Sequence, residues 1–322
     1  QGTPSCRGAG DSKSADVPLG GERPRLIYEC NNQKTYLKQL VSSKKVFYNN
    51  NIIESDNIFR QKISRYEVLF MFDPCKLLSY EYFPVELPPC FQSISLANKY
   101  PQFIKTASCI TVSSIPLTYS GYKSETSRRK FAIPNPCQYS RAVALIVENE
   151  AELQKVFSSS VYSLTAPIDR KPLAKQPYAK RSNSIADTKQ EIEYLYQNHR
   201  FEIRLDINSF FDSIYTHSIA WALHGIETAK KQRNNKNLIG NQLDSCIQAL
   251  NYGQTNGLLI GNAVSRIISE IILCTVDKEL RKVFPHISCC RFVDDYYIYT
   301  DDSAEIQKII STVRVCLSKY QL

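Results

Sequence analysis

No apolar run in this chain approaches the roughly 20 residues needed to span a bilayer. The most apolar stretch, 257–276, is interrupted by Arg266 and Glu270, and the polar amino terminus lacks the hydrophobic segment of a secretory signal. Those absences predict a cytoplasmic protein with no membrane partner. Cys-x-x-Cys is missing too, although there are eleven cysteines. Their odd number and irregular spacing read as thiols of a reducing compartment, not as a disulfide framework. Cys274, Cys289 and Cys316 sit inside apolar patterns and read as small buried hydrophobes. His199, His217, His224 and His286 have no zinc-ligand partners at useful spacing, which argues against a structural zinc.

What is present suits a folded chain. With 322 residues, 43% apolar and 22% charged, it can bury a sizeable core, and wholesale disorder is excluded. Forty Lys and Arg against 31 Asp and Glu give a charge of +9, suited to a polyanionic partner. Residues 1–25 differ from the rest. They hold five of the eleven glycines, three prolines and no aromatic residue. This segment cannot bury enough surface to order itself and reads as a disordered or non-native leader.

From residue 26 the chain turns aromatic and β-branched, with proline breaks at 83–90 and 134–136 and helical spacing within 140–157. A basic, proline-broken loop follows at 168–189, with Arg170, Lys171, Lys175, Lys180 and Arg181; it reads equally as solvated loop or phosphate-contacting strip. Ile192, Leu195, Tyr196 and His199 then share one face of a predicted helix over 186–199, with His199 packed or capping.

Three features carry chemistry. Phe201 to Ile207 alternates apolar and polar, so Phe201, Ile203, Leu205 and Ile207 face one way and Glu202, Arg204 and Asp206 the other. In isolation this fits any exposed strand with a surface carboxylate. Cys289–Val293 and Tyr296–Tyr299 read as arms of a hairpin whose tip carries Asp294 and Asp295. Adjacent acids in an apolar, aromatic setting repel one another and ask for a cation. Asp301 and Asp302, by contrast, lie in a polar turn that needs none. Finally, Gly257 and Gly261 frame a turn before an apolar helix that begins with Ile267, Ile268, Ile271 and Ile272. Glycines there allow close approach of backbone to a ligand, though helix punctuation reads the same.

In that order, a strand ending in Asp, a glycine turn into a helix and an Asp-Asp hairpin resemble the palm of polymerases. Leu205-Asp-Ile-Asn-Ser-Phe-Phe-Asp-Ser-Ile214 resembles motif A of the reverse transcriptases, Gly257–Arg266 their motif B, and Phe292-Val-Asp-Asp295 their motif C. The resemblance covers about residues 129–315. It implies an α+β right-hand polymerase fold, with an antiparallel palm sheet backed by helices. Fingers are expected over 26–200 and palm over 201–322, with 216–256 contributing to the fingers. The chain stops at Leu322, so no thumb is expected within it.

The resemblance further implies that Asp206, Asp294 and Asp295, with the backbone carbonyl of Ile207, hold two Mg²⁺ ions, Mn²⁺ being a substitute. Two such ions activate a 3′ hydroxyl and stabilise the leaving pyrophosphate. Phe211 falls on the position that crowds a ribose 2′ hydroxyl and favours deoxynucleotides; core packing is its other reading. Ser127 to Pro136 resembles the fingers strand that supplies a triphosphate-binding Arg, here Arg129 with Lys130 beside it. Gly257 and Gly261 complete the substrate-binding set.

Arg-x-x-x-Ile-Pro-Asn-Pro, Asn208 and Phe-Val-Asp-Asp look most like the bacterial abortive-infection and phage-defence reverse transcriptases. That branch implies RNA-directed or untemplated DNA synthesis from dNTPs, with protein priming among its modes, on RNA or DNA strands and with a homo-oligomer open. Three alternatives stand beside it: an idle nucleic-acid-binding scaffold, a retron or group II intron type, and an RNA polymerase, the last opposed by Phe211.

Overall fold

A computed structural model describes residues 25–31, 34–40, 72–79, 81–88, 90–100, 104, 112–167 and 185–322. The leader up to residue 24 and the cations of the basic loop, at 170–181, lie outside the described residues.

The chain begins with strands β1 (Arg25–Asn31) and β2 (Lys34–Leu40), followed by the short helices α1 (Pro74–Ser79) and α2 (Ile94–Asn98). A hairpin of β3 (Leu117–Ser124) and β4 (Ser127–Ile133) leads into α3 (Pro136–Glu148) and α4 (Glu150–Phe157). Next come α5 (Ile185–Asn198), β5 (Phe201–Leu205), the single turn α6 (Phe210–Ser213), α7 (Ser218–His224) and α8 (Ile226–Lys231). Helices α9 (Ile239–Leu250) and α10 (Ala263–Val283), strands β6 (Ser288–Phe292) and β7 (Asp295–Thr300), and helix α11 (Ile306–Ser318) complete it. The result is a mixed α+β fold.

Local chemistry explains the main helices. Asn135 caps α3 by accepting from the Cys137 amide at 2.9 Å, and Pro136 occupies the first turn, where its missing N–H is harmless. Tyr139, Ala142, Val143 and Ile146 then recur at helical spacing and are buried. Helix α10 starts at Ala263, earlier than the isoleucine run suggested. Asn262 caps it, its side chain accepting from the Ser265 amide at 3.0 Å.

Strands β5, β6 and β7 form the expected antiparallel core, with Leu205 opposite Tyr296 and Phe292 opposite Asp295. The whole sheet is nevertheless mixed. Its order is β2-β1-β5-β7-β6, and β1 runs parallel to β5 with Cys30 opposite Leu205. Strands β1 and β2 thus lie on the sheet of β5 and β7, although 26–200 was expected as fingers and Arg25, the first residue of β1, as the end of the leader. A crossover partner nearly 180 residues away leaves no trace in local alternation. The segment 160–166 runs along the outer edge of β6. Arg291 donates its amide to the Tyr162 carbonyl at 2.7 Å, and the Leu164 amide donates to the Arg291 carbonyl at 2.8 Å. Covering an edge strand in this way removes a template for unwanted pairing.

One core unites these layers. Ile203, Leu205, Cys289, Tyr296 and Ile298 from the sheet pack in the same buried cluster as Ile267, Ile268, Ile271, Ile272 and Cys274 of α10. Cys316 of α11 is buried in it too, so the three cysteines behave as expected. Among the described residues no helix is long and apolar enough to cross a membrane.

Candidate active site

The end of the sheet carries the acids. Asp206 follows directly on β5, one step beyond the pair Leu205 and Tyr296, so the antiparallel register sets it opposite Asp295, the first residue of β7. Paired strands lie about 4.8 Å apart. Asp206 is exposed, whereas Asp294 and Asp295 are half-buried. The hairpin loop is Val293 and Asp294, one residue earlier than the alternation suggested, because Phe292 and Asp295 still pair. Val293 takes φ +55 in the first loop position, a backbone region usually reserved for glycine in two-residue hairpins. A β-branched residue held there stores about 1–3 kcal/mol. Ser209, three residues past Asp206, is also left-handed, at φ +51.

The segment 205–214 and the glycine turn are stitched together. The Gly257 amide donates to the Ile214 carbonyl at 2.9 Å, and the Leu258 amide donates to the Phe211 carbonyl at 2.7 Å. Phe211 is half-buried, with its ring 5.2 Å from that of Phe210, and Ile207 is buried. Gly257 has φ +89; Gly261 has φ +112, and a Cβ there would stand 2.5 Å from Pro84. The turn thus needs both glycines for its own backbone. Arg129 and Lys130 lie on β4 with opposite exposures, Arg129 half-buried and Lys130 exposed. Strand β4 reaches the same turn, its Ala132 amide donating to the Ile260 carbonyl at 3.2 Å.

Glu202 departs from the simple alternation. It is 3% exposed, although it belongs to the polar face of β5. Tyr299 donates its hydroxyl to Glu202 at 3.1 Å, and Arg204 pairs with it at 3.0 Å, which makes the burial tolerable. Asp301 accepts from the Arg200 amide at 2.9 Å and from His199, while Asp302 accepts from the Ala304 amide at 2.8 Å. Both acids thus accept from backbone amides, and His199, expected as packed or capping, bonds Asp301 with its ring stacked 6.1 Å from Tyr299.

Behind the hairpin lies a buried polar cluster that periodicity did not single out. Arg291 is fully buried and donates to both Glu270 and Asp277 of α10 at 2.8–3.1 Å. Ser163 and Thr165 donate to Glu270, and Ser160 and Tyr296 to Asp277, at 2.6–2.9 Å. Burial pushes the Glu270 carboxyl up. The Arg291 guanidinium and the two hydroxyls more than reverse this and hold it below the usual carboxylate range. Burial also works against the charge of Arg291, but Asp277 and Glu270 raise its pKa well above the ordinary arginine value. The available signal was Glu270 and Asp277 seven residues apart on an apolar helix, with an arginine inside an apolar strand.

The donor set at the strand ends is all oxygen, which fits a hard divalent cation such as Mg²⁺. The register brings two of the three acids, Asp206 and Asp295, side by side. Among the described residues, no three His, Cys, Asp or Glu side chains are grouped closely enough to hold a metal ion. No curated protein matches the chain significantly. Residues 134–322 match a family model described as reverse transcriptase (RNA-dependent DNA polymerase).

Proposed function

The chain belongs to the reverse transcriptase (RNA-dependent DNA polymerase) family, and on that premise we propose that it joins dNTPs to a nucleic-acid strand by nucleotidyl transfer. The observation that carries this reading is the register that sets Asp206 beside the Asp294-Asp295 hairpin at one end of the sheet.

Asp206, Asp294 and Asp295, with the Ile207 carbonyl, would hold the divalent cations, Mg²⁺ or Mn²⁺. When bound, such ions lower the pKa of the attacking hydroxyl and neutralise charge on the phosphates. The chain's own residues orient the substrate. Phe211 sits where a sugar would pack, beside the turn Gly257–Gly261, and its ring would exclude a 2′ hydroxyl. Arg129, on the strand tied to that turn, would meet the triphosphate through its guanidinium fork, with Lys130 beside it on the other face of the strand. In this reading 201–322 is the palm, with β1 and β2 joining its sheet, and the described residues between 72 and 198, together with 216–256, belong to the fingers.

Resemblance of Ile133-Pro-Asn-Pro136, Asn208 and Phe292-Val-Asp-Asp295 supports a place in the abortive-infection and phage-defence branch, acting in bacterial antiviral defence. Labelled dNTPs with Mg²⁺, with and without RNA, test the activity. Incorporation that Asp294→Ala abolishes is expected. Incorporation indifferent to Asp294→Ala overturns the assignment of the acids, and Mg²⁺-independent nucleic-acid binding with no incorporation overturns the activity in favour of an idle scaffold.

A further inference from the structure

We propose that Arg291, braced by Glu270 and Asp277, is a positioning residue that clamps the backbone of the hairpin tip bearing Asp294 and Asp295. Its consequence for nucleotide transfer rests on the function proposed above; the clamp itself does not.

Val293 is the residue in need of holding. Its φ of +55 is unfavourable for any side chain and most of all for a β-branched one, and glycine is the usual occupant of such a loop position. Both polar groups of its backbone are tied to one buried anchor. Arg291 donates through Nη1 to the Val293 carbonyl at 2.7 Å. The Val293 amide donates to Thr165 Oγ1 at 3.3 Å, and that hydroxyl in turn donates to Glu270 Oε1 at 2.6 Å.

The guanidinium is itself immobilised. Nε donates to Asp277, Nη1 to Glu270 at 3.1 Å, and Nη2 to Glu270 at 3.0 Å and Asp277 at 2.8 Å. Both carboxylates belong to α10, the 21-residue helix at the centre of the core. The hairpin tip is therefore referenced to a long helix that is buried along most of its length. A buried ionic cluster gains little stability over an apolar replacement of equal volume, so a geometric task accounts for it better than a stabilising one. Lysine would keep the charge but lose the fork that reaches two carboxylates and a carbonyl together.

The test uses the full chain with Arg291→Lys, Thr165→Val, and Val293→Gly in the Arg291→Lys background. Amide hydrogen exchange is followed at residues 293–295 and, as a control, at the β5–β7 ladder. Either single change is expected to speed exchange at the tip about tenfold, the loss of one strong hydrogen bond, with the ladder unchanged. Mn²⁺ affinity and kcat should fall roughly 10–100-fold with KM for dNTP unchanged. Val293→Gly should restore both, because glycine needs no clamp to hold a positive φ. Folded variants with wild-type exchange at the tip and wild-type Mn²⁺ affinity overturn the clamp. If Arg291→Lys does not fold, Thr165→Val decides alone, since it keeps every charge of the cluster and removes only the hydroxyl that bridges Glu270 and the Val293 amide. A wild-type chain that neither binds Mn²⁺ nor incorporates dNTPs sinks the polymerase reading, and the exchange result still judges the clamp.

Discussion

The Ala132 amide donates to the Ile260 carbonyl at 3.2 Å, and this bond joins the strand of Arg129 and Lys130 to the glycine turn. The same turn is bonded to motif A through Leu258 and Phe211. Three segments separated by up to about 130 residues are therefore tied through one turn, and a change at the turn should be felt in all of them.

Gly261→Ala should be the most damaging change at that turn. Its Cβ would meet Pro84 at 2.5 Å while the backbone keeps φ +112. Gly225→Ala is the control, because φ is +81 there but nothing lies within 4 Å. Strain alone predicts a loss of about 1–3 kcal/mol at Gly225. Gly261→Ala should exceed it in urea denaturation and also depress dNTP incorporation.

Phe211→Ala should raise the use of ribonucleotides relative to deoxynucleotides, measured by competing rNTP against dNTP incorporation. The stability loss should stay below the roughly 3–5 kcal/mol of a fully buried phenylalanine, since the side chain is only half-buried. A fall in Tm with an unchanged rNTP to dNTP ratio would assign the ring to packing against Phe210 instead.

Glu270 makes stability acid-sensitive. Its carboxyl is held below the usual range in the folded state, so its contribution is complete above about pH 4.3, the unfolded value. The contribution is lost as pH falls through the lower folded value. Urea midpoints measured from pH 7 down to pH 3 should show this acid limb. Glu270→Gln should flatten it while costing about 3 kcal/mol or more at neutral pH, because Arg291 loses a buried partner.

Asn262→Ala should cost about 1–2 kcal/mol by the same measurement. Its carbonyl oxygen caps α10 at the Ser265 amide, and its amide donates to the Leu259 carbonyl at 2.8 Å. The residue is 1% exposed, so water cannot replace either bond. Asn262→Asp keeps the cap and should recover part of the loss.

Period-two alternation over 201–207 and the Asp-Asp hairpin were legible because strands announce themselves through nearest neighbours in sequence. Helix α5 was legible for the same reason, through apolar residues three and four apart. The start of α10 was missed because a single capping asparagine outweighed the isoleucine run. Glu202 was placed on a polar face, yet Tyr299 from a strand nearly 100 residues later covers it.

By itself the sequence determined which residue types stand at the strand ends and turns: the acids at 206, 294 and 295, the glycines at 257 and 261, and Phe211 between them. Those assignments depend on short-range order, which alternation and spacing carry. Only the tertiary structure decided that β1 joins the sheet in parallel, that Val293 takes a left-handed backbone, and that Arg291, Glu270 and Asp277 lie buried behind it. Such features arise from pairings across long stretches of chain, where burial and hydrogen bonding outweigh local preference.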